Sequence, residues 1–305
     1  MIALHALRGP NPGHFLAALG CLRVLTQLGH EARLRWERHE GWLSPVYEVS
    51  LGAEDFAAQV ADYLNAALEG AWLDERLGDK LPVDPAVMRE VIAGADQDSA
   101  DRLAAMQETW ADDPKKTPFD HLGLGRTGLL LTARKLVVTP EHIARLMTDH
   151  ARVDDGPTLR WDPLSVAPPA AYRGDRSRPV PVMLGAERLG LDALPLYPCL
   201  PPSFRGNPSA RAVVTGWAYW QSIGSRPTHA RWRWSLWRGA LDLRSAVALQ
   251  QAPQVTDDPE MHWCSRVVMD GYWSFAPSKP LPAAEIGPAR RALLKASAAD
   301  DWEDQ

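Results

Sequence analysis

Residues 11–29 constrain the fold more than any other part of this chain. Asn11 offers a capping side chain and Pro12 suits a first helical position. Phe15, Leu16, Leu19, Leu22 and Leu25 then recur at helical spacing, and Gly29 is a natural stop. Gly20, in the middle, costs a helix about 1 kcal/mol relative to alanine. Its presence predicts that another element approaches closely at that point. A helix this apolar must be buried.

Residues 32–38 alternate, with Leu34 and Trp36 on one side and Arg33, Arg35 and Glu37 on the other. A second strand-like run at 45–51 follows a turn at Glu40 and Gly41, so a hairpin laid against the first helix is expected. Apolar periodicity predicts helices at 54–69, 85–93 and 98–110, and another at 140–151. Asp55, Asp84 and Asp98 lie near the starts of the first three, where an acid suits the helix dipole. Residues 112–120 form a polar, proline-containing break. Between 154 and 208 proline is frequent and periodicity weak, which predicts irregular loops and short strands packed on a scaffold. Trp161, Leu189, Leu191, Leu194 and Tyr197 in that stretch need burial.

The expected class is α+β: an N-terminal helix packed on a β-hairpin, a helical middle, and an irregular Pro/Trp-rich, β-containing C-terminal half. The regions divide as 1–113 (N-terminal α+β), 114–297 (C-terminal α+β, one domain with the first or separate) and 298–305, an acidic tail expected to be disordered.

With 46% hydrophobic and 23% charged residues, the chain is globular in composition. Its net charge of −5 means that any nucleic-acid surface must be a local cluster of Lys and Arg. Cys21, Cys199 and Cys264 are far apart and odd in number, which fits a reducing, cytoplasmic compartment. No run approaches the ~20 apolar residues of a membrane span, and the N-terminal stretch has no basic n-region of an export signal.

No catalytic motif emerges. Residues 123–128 are glycine-rich but lack the Lys-Ser/Thr ending of a phosphate loop and miss the dinucleotide spacing. His262-x-Cys264, even with Cys199 or His229, has no second close pair of the kind structural zinc uses. There is no Gly-x-Ser-x-Gly elbow. The acidic pairs Asp154–Asp155 and Asp257–Asp258 sit beside proline and read as solvated turns. Catalytic residues, metal and cofactor are therefore assigned as none.

The most informative stretch is 205–244. It carries Arg205, Arg211, Arg226, Arg231, Arg233, Arg238 and Arg244 against one acid, Asp242. Trp217, Tyr219, Trp220, Trp232, Trp234 and Trp237 interleave with them. Arg231, Trp232, Arg233 and Trp234 alternate at strand period, which places both arginines on one face and both tryptophans on the other. Arginines can neutralise phosphates and indoles can stack on unpaired bases. Equally, the tryptophans can fill a core while the arginines stay solvated or paired. A smaller basic cluster comprises Lys115, Lys116, Arg126, Arg134 and Lys135.

Five blocks, in this order, are similar to a family encoded in type I-G (formerly I-U) CRISPR loci. NPGHFLAALGCLR from Asn11 resembles that family's opening "NP-x-x-FLAALG-x-LR", and LRWDP from Leu159 its "LRWDP" block. GAERL from Gly185 with LPLYP from Leu194 resembles "GANRLA…LPLFP", with Glu187 standing where the family has asparagine. WSLW from Trp234 with LDLRS from Leu241 resembles "WPLW…LSL-x-TV", and SFAP from Ser274 its closing "SF-x-P".

The resemblance implies an accessory subunit of CRISPR antiviral defence that works with other effector subunits or the helicase–nuclease, and it carries over no catalytic residues. The resulting expectation is a non-catalytic subunit contacting crRNA or target DNA. Arg226, Arg231, Arg233 and Arg238, with Lys115, Lys116 and Arg126, meet phosphates, and Trp232 or Trp234 stacks or packs. One alternative is a protein–protein adaptor without nucleic-acid contact. Another is a metal-dependent enzyme with a dispersed site such as His121, His142 and Asp154.

Overall fold

A computed structural model describes residues 1–107, 109, 119, 128–148, 153–163, 181–200, 213–214, 217–218, 231–251, 261–270, 272–275 and 278–280. Helix α1 spans Pro12–Gln27. The Asn11 side chain accepts the backbone N–H groups of Gly13 and His14, which otherwise lack helical partners. At the far end the Gly29 N–H bonds the Thr26 carbonyl and the His30 N–H the Leu25 carbonyl. Gly29 sits at φ 83°, so a residue without a β-carbon closes this Schellman turn. Every residue from Pro12 to Leu25 is buried, and a large apolar side chain such as Phe15 contributes about 1.5–3 kcal/mol on burial.

The hairpin is formed by β2 (Arg33–His39) and β3 (Trp42–Glu48), joined by Glu40 and Gly41. β1 (Ile2–Ala3) adds to the other edge of β3, giving an antiparallel sheet in the order β1-β3-β2. β3 begins earlier than the sequence expectation, and Pro45 lies inside it, opposite Trp36. This is tolerated because the Pro45 carbonyl faces the β1 side, accepting from Leu4 N–H. Its missing N–H therefore falls where β1 has already ended at Ala3. Leu34 and Trp36 point inward and are buried, as their alternation predicts.

The helical middle consists of α2 (Ala53–Ala66), α3 (Pro85–Gly94) and α4 (Gln97–Met106), followed by the short α5 (Leu129–Arg134) and α6 (Pro140–Ala144). Asp55 and Asp98 lie in the first turns of α2 and α4 and Asp84 at the start of α3, as expected; Asp84 caps α3 and Asp96 caps α4. The expectation of irregular structure over 154–208 needs correction, because α7 (Leu184–Asp192) lies within it. All nine of its residues are buried. Its buried Glu187, Arg188 and Asp192 break up the apolar run that would announce a core helix.

Helix α7 packs along α1, and the contact is close. A β-carbon built on Gly20 would fall 1.8 Å from the Leu189 carbonyl oxygen. The same helices meet in a buried ionic cluster. Asp192, fully buried, accepts from Arg102 of α4 and Arg188 of α7. Asp98 accepts from Arg23 of α1 and from Arg102 Nε at 2.8 Å. Arg102 also bonds the Leu191 carbonyl at 3.0 Å, and Arg188 bonds the Leu64 carbonyl of α2. Charges out of water are stable only when paired and hydrogen-bonded. This cluster therefore fixes how α1, α2, α4 and α7 sit together.

In the C-terminal half β7 (Arg231–Ser235) pairs antiparallel with β8 (His262–Asp270) and β6 (Trp217–Ala218). β8 also pairs with β9 (Tyr272–Phe275) and β10 (Lys279–Pro280), while β4 (Cys199–Leu200) pairs with β5 (Val213–Val214). Helix α8 spans Leu243–Gln251. Leu241 bridges to Leu34, and the Trp36 N–H bonds the Trp237 carbonyl, so the chain after β7 runs along the free edge of β2.

One hydrophobic core extends from Ile2 to Met261 without a break at the 113/114 boundary. Phe15 is its hub. Its ring lies 5.9 Å from Trp36, 5.7 Å from Trp232, 6.0 Å from Trp234 and 6.4 Å from Trp237. Among the described residues no helix is long and apolar enough to cross a membrane.

Candidate nucleic-acid interface

The alternation in β7 is present, and it resolves the two readings of its tryptophans. Trp232 is 0% exposed and Trp234 is 1% exposed, whereas Arg233 between them is half-buried. The two indoles lie 4.9 Å apart, and Trp234 Nε1 donates to the Gly9 carbonyl at 2.9 Å. Trp237 Nε1 likewise donates to the Leu34 carbonyl at 2.6 Å. The expectation that Trp232 or Trp234 offers a ring to a base is therefore corrected. Both pack, because Phe15 and the hairpin supply the apolar surface that an indole buries most favourably.

The arginines fare differently. Arg238 is exposed, immediately after the Trp237 carbonyl that holds this segment to β2. Arg231 has its backbone in β7, but its side chain lies outside the described residues, as do Arg226, Lys115, Lys116 and Arg126 entirely. Arg134 donates to Asp79 at 2.9 Å, so that member of the smaller cluster is paired. Lys135 is exposed and lines a 390 Å³ cleft with Arg160.

The first three sequence blocks meet in space. Asn11 Nδ2 donates to Asp162 Oδ1 at 2.7 Å, and His14 Nε2 lies 3.2 Å from Asp162 Oδ2. His14 Nδ1 accepts the Arg8 N–H at 3.0 Å, so Nε2 carries the proton and donates to the carboxylate. Glu187 accepts from the Thr158 hydroxyl at 2.7 Å and from the Leu159 N–H at 2.8 Å. This explains a carboxylate where the resembled family has asparagine: it clamps the 158–162 segment onto α7. His14 and Asp162 look like a catalytic dyad. Yet both imidazole nitrogens are engaged within the fold, and the adjoining pocket holds only about 10 Å³.

The dispersed-site residues are partly brought together. His142 Nε2 lies 3.7 Å from Asp154 Oδ1, while His121 lies outside the described residues. Asp154 also accepts from Arg145 and from the Leu184 N–H at the start of α7, where an anion is stabilised by the helix dipole. His262 Nδ1 is hydrogen-bonded to the Ser235 hydroxyl at 2.8 Å. Among the described residues no group of three His, Cys, Asp or Glu side chains could hold a metal ion. Burial pushes the Cys21 thiol up to about 12, which marks a core residue.

One exposed basic feature has no counterpart in the sequence reading. The Arg8 guanidinium stands over the Trp42 ring, 4.0 Å from its centroid, and His5 and His39 stack beside it. The only signal was the residue content of 5–8 and 38–42, which means nothing until the sheet places them side by side. The chain matches no protein-family model and no curated protein.

Proposed function

We propose that this chain is a non-catalytic subunit of a type I-G CRISPR interference machinery, working in the cytoplasm and contacting nucleic acid through arginines of the β7 segment. The observation that carries the reading is the convergence of the blocks that resemble that family. Asn11 and His14 meet Asp162, Gly20 meets Leu189, and Phe15 packs 6.0 Å from Trp234. These pairs join residues more than a hundred positions apart, and together they build the framework around α1. Blocks with a joint structural role persist in order and spacing, which a chance match of short strings does not require.

Arg233 and Arg238 are the described arginines offered to phosphates in this reading, with Arg226, Arg231, Lys115, Lys116 and Arg126 as further contacts. The tryptophans anchor the strand that presents them. The test is binding of labelled single-stranded DNA, duplex DNA and repeat-containing RNA across a salt series. Charge reversal at Arg233 and Arg238 is expected to weaken binding and flatten its salt dependence. Unchanged binding by the double variant overturns the arginine assignment. Capture of effector subunits without any nucleic acid identifies an adaptor instead.

A further inference from the structure

The tip of the first sheet carries an arrangement that the core does not need. His39 and Trp42 are directly paired across the hairpin, their rings 6.4 Å apart and nearly perpendicular. His5, entering from the segment after β1, stacks on His39 at 3.9 Å with the planes 28° apart. Arg8 lies over Trp42. All three rings are half-exposed and Arg8 is exposed, in contrast to the closed tryptophan nest around Phe15.

Two details separate this patch from ordinary hairpin packing. First, among the described residues no carboxylate pairs with Arg8. Glu37, the acid on the same face of β2, is engaged by Arg35. Centred 4.0 Å from the Trp42 ring centroid, the exposed Arg8 guanidinium carries N–H donors in the fork geometry that matches a phosphate. Trp42 holds that fork in place before any ligand arrives, which lowers the ordering cost of binding. Second, His5 Nδ1 and Trp42 Nε1 are both buried without a hydrogen-bond partner. Buried polar atoms are nearly always satisfied. The fold thus holds two unsatisfied groups in one place while leaving the rings they belong to open at the surface.

We infer that Arg8, Trp42, His39 and His5 form a stacking platform for unpaired nucleotides, with Arg8 taking the phosphate. A row of rings with a fixed cation beside it is how proteins hold single strands without reading sequence. An acidic peptide would satisfy Arg8 but leave the rings idle, and paired bases would have no face to offer them. The platform deepens the nucleic-acid reading above and rests on it. It is also continuous with the arginine segment: Gly9, next to Arg8, accepts from Trp234 and packs against Leu236, and Arg238 follows directly.

The experiment uses the full chain and fluorescence anisotropy with a short labelled oligothymidylate, an abasic strand of equal length, and a duplex. The platform predicts that the base-bearing strand binds roughly tenfold tighter than the abasic one. Trp42→Leu abolishes that preference, while Trp42→Phe keeps most of it. Arg8→Gln weakens both single strands alike and lowers the salt slope by about one. Because Trp42→Leu could loosen the hairpin, Arg8→Gln, at an exposed position, stands as an independent arm, with thermal melts confirming that each variant is folded. Equal affinity for the base-bearing and abasic strands overturns the platform, as does wild-type behaviour of both variants. If those variants bind normally while Arg238→Glu does not, the platform falls and the arginine reading stands. If the wild-type chain binds no strand at all, both fall.

Discussion

Gly20 of α1 faces the Leu189 carbonyl of α7 so closely that no β-carbon fits between them. Helix propensity alone favours alanine at that position by about 1 kcal/mol. The steric conflict is with backbone, which cannot rotate away. Gly20→Ala is therefore expected to destabilise the chain by about 1–3 kcal/mol or more in urea unfolding. Gly94→Ala, in α3 with open space around its β-carbon, is the control and should be neutral or slightly stabilising.

Removing the charge of Asp192 leaves Arg102 and Arg188 buried without their shared carboxylate, and Arg23 3.6 Å from the vacated position. Breaking a buried ion pair on one side costs about 3–5 kcal/mol. Asp192→Asn should therefore lower the urea midpoint far more than Asp74→Asn, whose ion pair with Arg76 is at the surface. Equal midpoints for the two variants would contradict the cluster's structural role.

Stability should also fall in acid with a defined sign. Burial pushes the Asp192 carboxyl up, but Arg102 and Arg188 outweigh it and hold the group below the usual range. N–H donation from Ser99 lowers Asp96, and donation from Ser245 lowers Asp242. Each binds its proton less tightly folded than unfolded. Their stabilisation is complete above about pH 4, the ordinary aspartate value, and drains away as pH falls through the lower folded values. Melting midpoints recorded from pH 7 to pH 3 should show the loss beginning below that point.

Cys21 is buried beside Tyr47, with its thiol pushed up to about 12. Iodoacetamide at pH 8 should leave the Cys21 peptide unmodified in the native chain and alkylate it after denaturation, as read by peptide mass spectrometry. Rapid native labelling would show that α1 opens readily.

How much of this was legible in the sequence follows from what each signal depends on. Asn11, Pro12, the apolar spacing and Gly29 act within one helix, so α1 could be read directly. Gly20 announced a close neighbour without naming it, because Leu189 lies far along the chain. Helix α7 was invisible, since it is short and its buried Glu187, Arg188 and Asp192 interrupt the apolar run that marked α1. In β7 the alternation was legible, but which face was interior was not. That was decided by Phe15, Trp36 and Gly9. The Arg8–Trp42 contact depends on sheet register and left no local trace.

We propose that the chain works in a nucleic-acid-guided defence complex. Purification of the tagged chain from cells carrying its own locus, followed by sequencing of bound RNA and identification of bound proteins, tests it most directly. The account predicts repeat-derived guide RNA together with effector subunits, both lost or sharply reduced when Arg233 and Arg238 are reversed to glutamate. A chain that elutes alone, with neither RNA nor partner subunits, would contradict it.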